Sequence, residues 1–151
     1  MRNVILIFIC LASGVTPSLA AEPTETEEAA QVVAAIHMRK GQELMKGKKF
    51  EEAEREFDLA ILSYSEGATL YGQRGQIRFL RKNYSGAVED FSRYLVLVPD
   101  DPDVLFLRGL SKSLLVPEDV VGACADLLNV RDRAKELNMD TYCHGQAGWP
   151  D

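Results

Sequence analysis

Histidine, tryptophan and cysteine are scarce in this chain, with two, one and three residues respectively among 151. The two histidines, His37 and His144, stand far apart in the sequence. His144 follows Cys143, but a zinc site would need two further ligands, and none stands nearby. A nucleophilic Cys143–His144 pair would lack a third group to orient it. No glycine-rich loop suited to cradling phosphate is present, and Gly41, Gly75 and Gly109 stand singly. Basic excess is also missing: 17 lysines and arginines face 23 acidic residues, for a net charge of -6. That balance suits a soluble protein and gives no electrostatic footprint for nucleic acid. The expectation is a non-catalytic chain with no metal, no cofactor and no nucleic-acid partner.

Long apolar runs are lacking too. Val4 to Ala12 is nine residues, where a membrane-spanning helix needs about twenty. The run follows Arg2 and precedes small residues at Ser18 and Ala20. This pattern predicts a secretory signal peptide over residues 1–20, cut between Ala20 and Ala21. Cys10 sits inside the run after bulky Ile9, a poor setting for lipidation. Cleavage removes Cys10 and leaves Cys124 and Cys143. An even count in an oxidising compartment favours a disulfide, with two unconnected thiols as the alternative. The expected location is secreted or periplasmic, in a cell envelope, with no stable membrane insertion after cleavage.

What is present is a period. Tyr71, Gly75 and Phe79 fall at helical spacing on one face, and Ala87, Phe91, Tyr94 and Leu95 do so on a second helix. Asn83 and Tyr84 mark the turn between them, Ser85 is placed to cap, and Pro99 stops the second helix. Thirty-four residues earlier, Gly41, Leu44, Phe50, Ala53, Phe57 and Ala60 stand where Gly75, Arg78, Tyr84, Ala87, Phe91 and Tyr94 stand here. Thirty-four residues later comes Gly109. Two helices repeated at that period predict a helical-repeat array.

The small, aromatic and proline positions Gly41, Phe50, Ala53, Phe57 and Ala60, then Gly75, Tyr84, Ala87, Phe91 and Pro99, resemble those of the tetratricopeptide family. The resemblance covers roughly residues 34–137. It implies an all-α solenoid of three antiparallel helix pairs, with repeats at 34–67, 68–101 and 102–137 inside a span of 31–138. It says little of activity, because such arrays bind many kinds of partner.

Around this frame the chain divides simply. Residues 21–30 are acidic and expected to form a flexible leader. Thr24 and Glu27 nevertheless have capping-box spacing, so a long helix could start near residue 25 and run to Lys46. Val32, Val33 and Ile36 suggest that its extra turns bury something. Pro102 suits a helix start after Asp100 or Asp101 as cap. The last helix is expected from Glu118 to Leu137, after a turn two residues longer than its counterparts.

Each first helix carries a cation just before its glycine (Lys40, Arg74, Arg108), and each second helix an anion before its large apolar residue (Glu56, Asp90, Asp126). The pairs are expected to meet between the helices of one repeat and to fix register. On the last helix, Ala123, Leu127, Val130, Ala134 and Leu137 form an inward stripe. Val121, Cys124 and Leu128 form a second stripe that needs cover. The tail, 139–151, is expected to fold back over it with Cys143 bonded to Cys124. That closure is worth about 3 kcal/mol in the chain-entropy account.

The resemblance implies that the first helices line an inner groove. The stripe Met38, Gln42, Met45, then Gly72, Gln76, Phe79, then Phe106, Leu110, Ser113 is largely apolar and uncharged. The Lys, Arg and Asn clamp that many family members use for a carboxylate terminus is absent. The groove is therefore expected to take a hydrophobic or helical segment of a protein partner, through Met38, Gln42, Met45, Gln76, Phe79, Phe106 and Leu110. Two alternatives stay open: the stripe is core, or the chain is a structural module that pairs with its own kind.

Overall fold

A computed structural model describes residues 24–115, 120–130, 143 and 145. Six helices run through them: α1 (Glu25–Lys46), α2 (Phe50–Ser63), α3 (Ala68–Leu80), α4 (Tyr84–Leu97), α5 (Pro102–Leu115) and α6 (Val120–Leu128). No strand occurs among the described residues. The helices pack as pairs, α1 with α2, α3 with α4 and α5 with α6, and α2 on α3 and α4 on α5 join the pairs into an array.

Local chemistry sets the helix ends. Thr24 caps α1, its Oγ1 accepting from the Glu27 N–H at 3.3 Å. The acidic stretch from Glu25 to residue 30, expected as leader, is therefore helical, and its carboxylates complement the positive end of the helix dipole. Asn83, not Ser85, caps α4: its Oδ1 accepts from the Gly86 N–H at 3.1 Å. A cap accepts from an N–H two or three residues on, which Asn83 reaches at Gly86, whereas Ser85 is already inside the helix and adjacent to that N–H. Asp101 caps α5, accepting from the N–H groups of Asp103 and Val104, and its other oxygen accepts from the Tyr94 hydroxyl at 2.7 Å.

The turns within the first two pairs are copies. Lys49 N–H donates to Leu44 C=O and Lys48 N–H to Met45 C=O, while Asn83 N–H donates to Arg78 C=O and Lys82 N–H to Phe79 C=O. This is the Schellman closure. It requires a left-handed residue, supplied by Lys48 at φ 57° and Lys82 at φ 63°.

Close approach within pairs falls on the repeated glycine. A Cβ on Gly41 would lie 2.7 Å from the Phe57 ring, one on Gly75 2.7 Å from the Phe91 ring, and one on Gly109 2.8 Å from Leu127. The first helix thus offers a notch and the second fills it with a large apolar side chain. The core splits into two clusters. One gathers Ala34, Ala53, Phe57, Ala60, Leu70 and Ile77 from α1 to α3. The other gathers Ala87, Phe91, Leu95, Val104, Leu105, Phe106, Cys124, Leu127, Val130 and Cys143.

The N-terminal end of the array differs from the sequence reading. Val32, Val33 and Ile36 are exposed, so the extra turns of α1 bury no large side chain. At the other end α6 covers Val120–Leu128, and Asn129 and Val130 form a turn in which the Val130 N–H bonds Leu127 C=O; the expected helix start at Glu118 and the stretch 131–137 lie outside the described residues. Ala134, Leu137 and the tail residues Tyr142, His144 and Trp149 lie outside the described residues, as does the turn at Val116 and Pro117. Cys124 and Cys143 are bonded, with Cα atoms 5.6 Å apart, and both are buried. Val121 remains exposed.

Candidate interaction groove

Three features decide what this array can do: its polar interior, its inner face and its outer face. The interior ion pairs join the helices of each pair. Arg74 grips Asp90 with two bonds, Nε to Oδ2 at 2.9 Å and Nη2 to Oδ1 at 2.6 Å. Arg108 grips Asp126 in the same way at 2.9 and 2.6 Å. Lys40 reaches Glu56 at 2.6 Å.

Sequence reading missed the second cations. Arg78 reaches Asp90 at 3.1 Å and Lys112 reaches Asp126 at 2.8 Å. Each lies one helical turn after Arg74 or Arg108, so the same i+4 face signals it. Arg74 also bonds Asp58 of α2, and Arg78 and Arg81 both bond Glu54. These pairs tie the first repeat to the second.

The electrostatics follow from burial against charge. Burial pushes the Glu54 carboxyl upward, but the bonds and charges of Arg78 and Arg81 outweigh it and hold it below the ordinary glutamate range. Lys40 first, then His37, hold Glu56 below that range as well. The Tyr94 hydroxyl first, then the α5 backbone N–H groups, lower Asp101. His37, read from sequence as a packing residue, is half-buried and bonded through Nδ1 to Glu56 at 2.8 Å. It serves the same carboxylate as Lys40. Among the described residues no group of histidine, cysteine, aspartate and glutamate is arranged to hold a metal. No described helix is long and apolar enough to cross a membrane.

The inner face differs from the stripe drawn on sequence. Phe106 is only 6% exposed and belongs to the core. Its counterpart one repeat earlier, Gly72, is buried under Tyr94, 2.9 Å from where a Cβ would stand. The column Met38, Gly72, Phe106 therefore points inward. Met38 and Met45 are half-buried against the first cluster, and Phe79 and Leu110 against the second. The Phe79 ring stands edge-on to Tyr84 with centroids 5.6 Å apart. Residues at i, i+4 and i+7 spread over roughly 60° of helix circumference, so one edge of such a stripe faces core while the other faces solvent.

The accessible column is Gln42 and Gln76, joined by a residue the sequence reading did not select, Gln73. Gln42 Nε2 donates to Gln73 Oε1 at 3.1 Å across α1 and α3. Gln42, Met45, Lys46, Gln73 and Gln76 line an open recess of ≈ 320 Å³. Its one charge, Lys46, is paired with Glu43 at 2.8 Å. A larger depression of ≈ 660 Å³ lies on the α2–α4 side, floored by Tyr71 and Arg74. Arg74 is spent there on Asp58 and Asp90, with its guanidinium carbon 5.8 Å from the Tyr71 ring centre. The recess beside Gln73 is the better candidate, because it keeps uncommitted amide donors and acceptors beside a methionine.

No known family profile and no curated protein matches this sequence. Solved structures do. The first TPR of Spaghetti (RPAP3) bound to HSP90 peptide SRMEEVD is 20% identical, with 68% of this chain and 79% of that chain covered at a TM-score of 0.62. The second TPR of Spaghetti (RPAP3), bound to the same peptide, is 22% identical, with 69% and 96% covered at 0.62. The Arabidopsis OM64 TPR domain is 18% identical, with 76% and 90% covered at 0.62. The architecture is therefore that of an all-α, tetratricopeptide-like solenoid.

Proposed function

We propose that this chain is an exported, non-catalytic interaction module whose α1–α3 recess holds an uncharged stretch of a partner polypeptide. The observation that carries this reading is the Gln42–Gln73 pair, with Gln76 and Met45 beside it. Amide side chains offer both donors and acceptors, so they can bond peptide groups of an extended segment without selecting for charge. Met45 adds an adaptable apolar contact. Two neighbours of like fold are bound to a peptide, SRMEEVD, that carries acidic residues. The recess here offers only a cation already paired with Glu43, which points away from an acidic partner. The apolar groove expected from sequence narrows accordingly, because Phe106 is core. Export rests on the residues 1–20 pattern. The buried Cys124–Cys143 bond agrees with an oxidising compartment.

The test is photo-crosslinking in the native host, wild type beside a Gln73→Arg, Gln76→Arg variant, with N-terminal sequencing of the recovered protein. One partner captured by wild type and lost by a folded variant is the expected result. Identical captures would remove the recess from consideration. A mature N-terminus at Ala21 is expected, and an intact Met1 would overturn export.

A further inference from the structure

The face that bears the recess does not end at α3. Gln73, Gln76 and Leu80 share one side of α3 by their three- and four-residue spacing. Leu107, Leu110 and Leu114 are their counterparts one repeat later, on α5. α3 and α5 touch, so the two rows are neighbours. Leu80 is 55% exposed and Leu114 46%, while Leu107 and Leu110 are half-buried against the second core cluster. The same place in successive repeats therefore changes character. Lys46 gives way to Leu80 and Leu114, Gln42 and Gln76 to Leu110, and Gln73 to Leu107. The face passes from amides on α1 and α3 to aliphatic side chains on α5.

Charge decides what fits the aliphatic half. Arg74 and Arg78 of α3 are spent on Asp58, Asp90 and Glu54, and Arg108 and Lys112 of α5 on Asp126. Asp103 stands two helical turns before Leu110, and Lys82 lies past Leu80 in the turn to α4. A charged side chain laid over the leucines would lose water and meet no counter-charge on either row, whereas an aliphatic one removes apolar surface from water on both sides. We infer, resting on the recess proposed above, that the partner segment runs on from the amides across α3 to α5, with uncharged polar residues in the recess and aliphatic residues over Leu80, Leu110 and Leu114. Packed helices lie about 8–10 Å apart and an extended chain advances about 3.3 Å per residue, so the two parts of the segment are about three residues apart. The partner is thus an uncharged segment with an amide- or hydroxyl-bearing end and an aliphatic end.

The probe is a displayed library of random short peptides, selected on the purified protein. Enriched peptides are then synthesised and titrated by fluorescence polarisation against wild type, a Leu80→Asn, Leu114→Asn variant and the Gln73→Arg, Gln76→Arg variant. Both leucines are exposed, so their replacement leaves the core intact, and circular dichroism checks folding. Enriched sequences are expected to lack charge and to carry aliphatic residues about three positions from Ser, Thr, Asn or Gln. The leucine variant should bind them at least about tenfold more weakly. Changing the aliphatic residues of the peptide to Ser should cost wild type more than it costs that variant, the coupling that direct contact requires. Binding lost in the glutamine variant but unchanged in the leucine variant would overturn the extension and leave the recess. Unchanged binding in the glutamine variant would remove the recess, and the extension with it. Charged motifs would overturn both, as would the absence of any enrichment, the result expected of a face already covered by another copy or by the chain itself.

Discussion

At the residue scale, the repeated glycines and the large side chains above them decide how closely each helix pair packs. Gly75 lies where a Cβ would stand 2.7 and 2.9 Å from the Phe91 ring and 3.2 Å from Asp90 Cβ. Phe91 is fully buried and Asp90 nearly so, so neither has room to move aside. Two effects compete in Gly75→Ala. Better helix propensity stabilises by about 1 kcal/mol, and overpacking costs about 1–3 kcal/mol. Overpacking wins here, and a net loss of up to about 2 kcal/mol in urea unfolding is expected. Gly47→Ala is the control, because its Cβ would meet nothing closer than 3.5 Å; it should be neutral or slightly stabilising. The spacing of these glycines was legible in the sequence, since a 34-residue period needs no structure to count. The core position of Phe106 was not, because a stripe read on a helix does not show which of its edges faces the neighbour.

At the element scale, helix ends are set by single residues, and two ends are suboptimal. Lys48 and Lys82 hold the left-handed position of their turns, where glycine fits without strain. For an L-residue that conformation costs roughly 1–2 kcal/mol, against about 0.5–1 kcal/mol of extra backbone entropy that glycine loses on folding. Lys82→Gly should therefore stabilise by up to about 1 kcal/mol, read as a rise in Tm of a few degrees. No change or a fall would show that the lysine side chain contributes something to the turn. The caps were only partly legible. Thr24 announces itself by its spacing to Glu27, but Asn83 and Ser85 both suit a cap, and backbone geometry chose Asn83.

At the scale of the molecule, ion pairs run through the joints of the array. Arg74 bridges Asp90 and Asp58, and Glu54 takes bonds from Arg78 and Arg81. The carboxyls of Glu54, Glu56 and Asp101 are all held below their ordinary values, 4.5 for glutamate and 3.8 for aspartate. Their stabilisation is therefore fully present above those ordinary values and is lost as pH falls through the lowered folded ones. Urea midpoints should fall steadily as pH drops below about 4, and Glu54→Gln should flatten that slope at some cost in stability at neutral pH. An unchanged slope in Glu54→Gln would mean that other carboxyls carry the acid sensitivity.

The sequence alone determined the period, the pairing of helices, the glycine notches and one cation–anion pair in each repeat, because each depends on spacing along one chain. Arg74 and Asp90 are sixteen residues apart, and two helices joined by a short turn must bring such positions close. Tertiary structure decided what depends on neighbours from elsewhere. It sent the column of Met38, Gly72 and Phe106 into the core, joined Gln42 to Gln73 across two repeats, and left Val32 and Ile36 facing solvent. Helical periodicity defines a face but not what stands opposite, and that is fixed only when the next helix packs.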